Sequence, residues 1–86
     1  MELRVLAVGD VTFASGLQCL MHRLRQIKKQ QNIDFCIVNG ENANGLGITP
    51  RQADTIFDAG ADVITLGNHS FDRREICPYL DDNSYI

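Results

Sequence analysis

Three short polar clusters, Gly9-Asp10, Asn39-Gly40-Glu41-Asn42 and Gly67-Asn68-His69, each follow directly on an apolar run. Their side chains are carboxylates and carboxamides, whose oxygens suit hard or borderline cations, and one imidazole, whose pKa near neutrality lets it hand a proton to a leaving oxygen. Asp10 alone says little, because an aspartate after a strand also closes turns and caps helices. The second cluster says more. Asn39, Glu41 and Asn42 put three oxygen-bearing side chains within four residues, and the glycines at 40, 45 and 47 permit unusual backbone angles. A glutamate at position 41 is suited to bridge two ions. A solvated Asn/Gly turn accounts for Asn44-Gly45 but leaves Glu41 and Asn42 without a reason. The third cluster is the sharpest, pairing a carboxamide ligand, Asn68, with a neighbouring proton donor, His69; its plain alternative is a capping asparagine beside a structural histidine.

The elements that must position these clusters follow from the runs between them. Leu3 to Val8, Ile33 to Val38 and Ala61 to Leu66 have the length of strands buried on both faces, and helical spacing fills the gaps. The order is therefore β-α-β-α-β, a parallel-sheet unit of the α/β class whose strands all end on the same edge. Leu17, Leu20, Met21, Leu24 and Ile27 give the first helix one apolar face over roughly residues 16–31. His22 falls beside that face and is read as a surface or half-buried structural residue. Thr49-Pro50-Arg51-Gln52 supplies a cap, a first-turn proline and a capping-box glutamine for the second helix; Ala53, Ile56 and Phe57 form its buried face, and Gly60 suits its end. A third helix is expected to start with Asp72 as cap and Glu75 three residues on, kept short by Pro78.

Composition narrows the class. With 86 residues, 44% hydrophobic and 22% charged, the chain is an ordinary globular segment rather than a disordered one. No apolar stretch approaches the ~20 residues that span a bilayer, and no signal-peptide core follows the first residues, so no membrane association and a cytoplasmic location are expected. The net charge is −3, and the concentrated basic residues, Arg23, Arg25, Lys28 and Lys29, sit toward the end of one helix, where they complement its dipole. Binding to duplex nucleic acid is not expected. Three cysteines at 19, 36 and 77 match no zinc or redox spacing; Cys36 is read as core, and Cys19 and Cys77 as helix packing.

Gly9-Asp10, Asn39-Gly40-Glu41-Asn42 and Gly67-Asn68-His69 together resemble the first three blocks of the calcineurin-like metallophosphoesterases, whose usual forms are D-x-H, G-D-x-x-D and G-N-H-D/E. The Asn-Gly-Glu-Asn form of the second block, Gly47-Ile48-Thr49 after it, and the run from Ile64 through Asp72 with Arg73-Arg74-Glu75-Ile76 are similar to the YmdB-like branch, which contains 2',3'-cyclic-nucleotide 2'-phosphodiesterases. The resemblance runs from Leu3 to the last residue. It departs in two segments: Thr12-Phe13-Ala14-Ser15-Gly16-Leu17 stands where the branch usually has a Gly- and Pro-containing basic segment, and the stretch between Asn42 and Gly47 is slightly short.

The resemblance implies that residues 1–86 are the N-terminal part of a single metallophosphoesterase domain, an α/β sandwich of two sheets with outer helices. It further implies that Asp10 and Asn42 bind one metal, Asn68 a second, Glu41 both, and that His69 is the proton donor in hydrolysis of 2',3'-cyclic nucleotides or related small phosphodiesters. Iron or manganese is favoured and magnesium left open, as is homo-oligomerisation. Family members continue further and supply more metal-binding histidines, whereas His22 and His69 are the histidines here. The chain thus carries the first half of the metal site, as a fragment of an enzyme or as an inactive truncated product. The alternative from another class is a non-catalytic α/β module that pairs through its exposed sheet edge.

Overall fold

The computed structural model describes residues 2–9, 11–44, 47–67 and 74–86. Within them the chain runs β1 (Val5–Val8), α1 (Phe13–Gln30), β2 (Phe35–Asn39), α2 (Pro50–Ala59), β3 (Val63–Thr65) and α3 (Ile76–Asp82). The three strands form one parallel sheet in the order β1-β2-β3, with Val5 opposite Phe35 and Ile37 opposite Val63. The expected βαβαβ unit is present, its strands shorter than the apolar runs that announced them.

The strands are not buried on both faces, as their apolar character had led us to expect. Burial alternates along them: Cys36, Val38 and Ile64 are buried, while Val5 and Phe35 are 49% and 38% exposed. The reason is the placement of the helices. Leu17, Leu20 and Leu24 of α1 and Ala53, Ile56 and Ala59 of α2 share one core with Cys36, Val38 and Ile64, so both helices cover the same side. Met21 and Ile27, assigned to the apolar face of α1, lie at its margin and remain exposed, and Phe57 is only half-buried.

Helix ends follow their local chemistry. Thr49 and Gln52 form the expected reciprocal capping box on α2, with Pro50 at its first position. Gly60 closes α2 at φ 126°, a conformation that favours glycine. α1 starts earlier than its apolar spacing implied and ends without a glycine: Asn32 takes the left-handed conformation at φ 52°, and the Ile33 and Asn32 amides donate to Lys28 O and Lys29 O in a Schellman closure. α3 begins at Ile76 behind Glu75, and Pro78 sits in its first turn, where a missing amide costs nothing. The Asp72 cap expected for this helix lies outside the described residues.

The amino ends of the strands are tied by side chains to backbone. Asp34 Oδ2 accepts from the Arg4 amide at 2.9 Å, and Arg4 Nη1 donates to Gln31 O at 2.8 Å. Asp62 Oδ2 accepts from the buried Cys36 amide at 2.8 Å and pairs with Lys28 at 3.5 Å. Two of the basic residues of α1 do more than face their own helix dipole. Arg25 Nη2 donates to Asp58 O at 2.5 Å and Lys28 Nζ to Gly60 O at 2.7 Å, satisfying carbonyls at the end of α2.

Candidate functional site at the carboxyl edge of the sheet

At the opposite edge the backbone joins the segments that follow each strand. The Val11 amide, just beyond β1, donates to Asn39 O at 3.2 Å, and the Gly40 amide, just beyond β2, donates to Thr65 O at 3.0 Å. Gly40 is pressed onto the core. A Cβ there would lie 3.0 Å from Ile48 Cδ1 and 3.1 Å from Ile64 Cγ2, so a side chain would push the loop away from the sheet.

From Gly40 the chain makes a four-residue turn closed by the Ala43 amide on Gly40 O at 3.1 Å, which puts Glu41 and Asn42 at its two central positions, both half-buried. Ala43 and Ile48 anchor the loop from beneath, fully buried. Asn39 builds the turn: its Oδ1 accepts from the Glu41 amide at 3.3 Å and its Nδ2 donates to Thr65 Oγ1 at 3.4 Å. One of the three oxygen-bearing side chains of the second cluster is thereby committed to structure.

Glu41 reaches from β2 to the end of β3. A Cβ at Gly67 would fall onto its carboxylate, touching Oε2 and lying 2.8 Å from Oε1. The glycine before Asn68 therefore leaves the space that the Glu41 carboxylate occupies. The motif alone does not disclose this task of Gly67; a glycine directly preceding a candidate ligand is the signal the sequence offers for it.

Of the predicted site residues, Glu41 and Asn42 are placed on this edge; Asp10, Asn68 and His69 lie outside the described residues. Among the described residues no three of His, Cys, Asp and Glu are grouped closely enough to hold a metal ion. The donors that are described are of the type that suits a hard or borderline cation: a carboxylate seated on Gly67 and, at the next position of the turn, a carboxamide. A soft ligand is not offered by Cys36, which is buried on the helix-covered face and whose thiol is pushed up by that burial, with Asp62 adding to the effect and Lys28 opposing it. Cys77 packs half-buried against the core, while Cys19 is exposed on α1 rather than a packing residue. His22 is exposed on α1, away from the strand ends.

No helix among the described residues is long and apolar enough to cross a membrane.

The sequence profile of the YmdB-like protein family matches residues 6–86. The 2',3'-cyclic-nucleotide 2'-phosphodiesterase of Bacillus subtilis (strain 168) is 37% identical over 81 residues, which are 93% of this chain and 31% of that enzyme. Among solved structures, a hypothetical protein from Thermus thermophilus superposes with a TM-score of 0.84 at 36% identity, over 92% of this chain and 31% of that one. A phosphatase from Mycoplasma pneumoniae superposes at 0.88 over 96% of this chain and 30% of its own, at 24% identity, a likeness of fold. The chain spans about a third of the length of the proteins it matches.

Proposed function

The chain belongs to the YmdB-like family, and on that premise we propose that it is the opening part of a metal-dependent phosphodiesterase acting on 2',3'-cyclic nucleotides or related small phosphodiesters. The observation that carries this reading is the Glu41 carboxylate lodged against Gly67, because it brings an oxygen donor of the second cluster to the foot of the third. Asp10 and Asn42 would hold one ion and Asn68 a second, with Glu41 shared between them; iron or manganese is favoured over magnesium. Bound there, the ions would supply Lewis-acid neutralisation of the phosphodiester oxygens and an activated water.

The chain's own contribution is placement and proton transfer. Water would add to phosphorus and release a proton to solvent as the bond from phosphorus to one ribose oxygen breaks, and His69 would give that oxygen its proton and recover one from solvent. General acid catalysis of this kind is worth about 10²- to 10⁴-fold and matters most for poor leaving groups.

The open face of the sheet supports a larger parent. Leu3, Val5 and Phe35 are exposed at 70%, 49% and 38%, whereas parallel sheets are ordinarily covered on both sides. We assign the cover to the remainder of the same domain, and the missing metal ligands to it as well. The isolated 86-residue chain is then inactive. The rival reading, a non-catalytic module pairing through its sheet edge, predicts no phosphodiesterase activity in any longer form.

The test is to assay the complete protein carrying this segment, and its His69→Ala variant, on a 2',3'-cyclic nucleotide and on a nitrophenyl phosphodiester, with bound metal quantified. The proposal predicts hydrolysis of both by the parent, and a loss in the variant that is at least roughly tenfold larger on the cyclic nucleotide, with metal retained. Equal losses on the two substrates together with lost metal would remove the proton-donor role. Absence of hydrolysis by a metal-loaded parent would remove the function.

A further inference from the structure

Gln52 occupies the third position of α2 and divides its side chain between two tasks. Its Oε1 accepts from the Thr49 amide at 3.0 Å while Thr49 Oγ1 accepts from the Gln52 amide at 3.2 Å, which is the capping box. Its Nε2 points the other way, donating to Ala43 O at 3.3 Å and to Asn44 Oδ1 at 3.1 Å. A glutamate would cap the helix equally well and would also favour the positive end of its dipole. Only an amide can also donate. Helix capping therefore explains half of this side chain, and the other half is directed at the segment that carries Glu41 and Asn42.

That segment is gripped at both ends. The Gly40 amide holds its start to Thr65 O of β3, and Gln52 Nε2 holds Ala43 O at its end. Between these two anchors lie the two residues at the centre of the turn. The Asn44 amide, bonded to Gly47 O at 3.0 Å, continues the brace toward the helix.

We propose that Gln52 is a positioning residue for the metal edge: through Nε2 it ties the N-terminus of α2 to the Gly40–Ala43 turn and so sets where Glu41 and Asn42 present their oxygens. This rests on the reading of Glu41 as a ligand. It also places the control of ligand geometry on a helix cap rather than in the strands, so that displacement of α2 displaces the donors.

Gln52→Glu separates the two tasks, since the carboxylate keeps the cap and loses both donations, while Gln52→Ala loses both tasks. In the complete protein, amide hydrogen exchange of Gln52→Glu should be faster at Ala43 and Asn44 by roughly three- to tenfold, the worth of one net hydrogen bond, and unchanged at Ile56 and Phe57 within α2. In the complete protein, titration with Mn²⁺ should show affinity weakened by roughly tenfold or more in Gln52→Glu, the scale on which supporting partners of metal ligands act. Unchanged exchange at Ala43, or unchanged Mn²⁺ affinity, overturns the proposal. So does faster exchange throughout α2, which would make the residue a cap alone. Glu41→Gln in the same titration separates the two levels: if it leaves Mn²⁺ affinity intact, the ligand reading fails and this inference with it, whereas a loss there with none in Gln52→Glu refutes the positioning role by itself.

Discussion

The two ends of the sheet both bear acidic side chains, and they use them differently. At the amino end Asp34 and Asp62 each accept from a backbone amide of the adjacent strand segment, and Asp62 has Lys28 beside it. Those carboxylates complete the fold. At the carboxyl end the Glu41 carboxylate fills the space above Gly67, and the turn beneath it is fastened to β3 and α2. Asp34 and Asp62 hold strand segments together, whereas Glu41 sits on a glycine at the top of a braced turn, where the proposed function gives it a metal to bind. The difference tells which carboxylates to mutate for stability and which for function.

The largest expected effect comes from filling the space at Gly67. Gly67→Ala puts a Cβ on the Glu41 carboxylate and should displace it by about an ångström, a misplacement that typically costs on the order of 10²-fold in turnover. The backbone at Gly67 needs no positive φ, so thermal unfolding of the complete protein should be nearly unchanged while its phosphodiesterase rate collapses. Loss of stability instead of rate would erase the distinction between the two ends.

The converse substitution is Asp62→Ala. It removes the acceptor of the buried Cys36 amide, a loss of about 1–3 kcal/mol. The half-exposed pair with Lys28 adds little. In the complete protein, roughly three times this length, the melting midpoint should fall by roughly 2 °C or more, with its Mn²⁺ affinity unaltered. A fall in metal affinity as large as that from Gly67→Ala would mean that the two ends are not independent.

The smallest effect belongs to a contact at neither end and gives a baseline. Tyr79 of α3 donates to Asp54 Oδ1 of α2 at 2.9 Å, and its phenol is pushed up to about 12, by burial first and then by Asp54. The folded value lies above the unfolded one of about 10, so the stability it contributes is complete below about pH 10 and is lost as pH rises through about 12. Melting midpoints should decline over that window, and less steeply in Tyr79→Phe; the raised Cys36 thiol gives a residual decline in both. An identical slope in the two proteins would show that the contact contributes nothing.

Much of this arrangement was legible in the residues. The order of elements, the Thr49–Gln52 capping box and the Gly60 terminus follow from local signals that act within a few residues. Burial on both faces was misread because apolar content records what a strand is able to bury, and which side is covered depends on where the helices pack; here both lie on one. The end of α1 was legible from its apolar spacing to within a residue, whereas its closure through Asn32 was not, because Asn32 takes a conformation that glycine usually advertises. At the site, Glu41 and Asn42 stood out by residue type, but the reach of Glu41 to Gly67 and of Gln52 to Ala43 is tertiary. Gln52 had a sufficient local explanation, which concealed its second task.

Whether the Glu41 carboxylate is a shared metal ligand is decided by the metal content of the complete protein against that of Glu41→Gln after equilibration with Mn²⁺ and removal of unbound metal. The substitution keeps the side chain's size and removes its charge. A shared ligand gives about two ions per chain in the parent, as expected of a two-metal phosphodiesterase, and loss of at least one in the variant with the melting midpoint preserved in the metal-free forms. Two ions held by Glu41→Gln at the parent's affinity would contradict it.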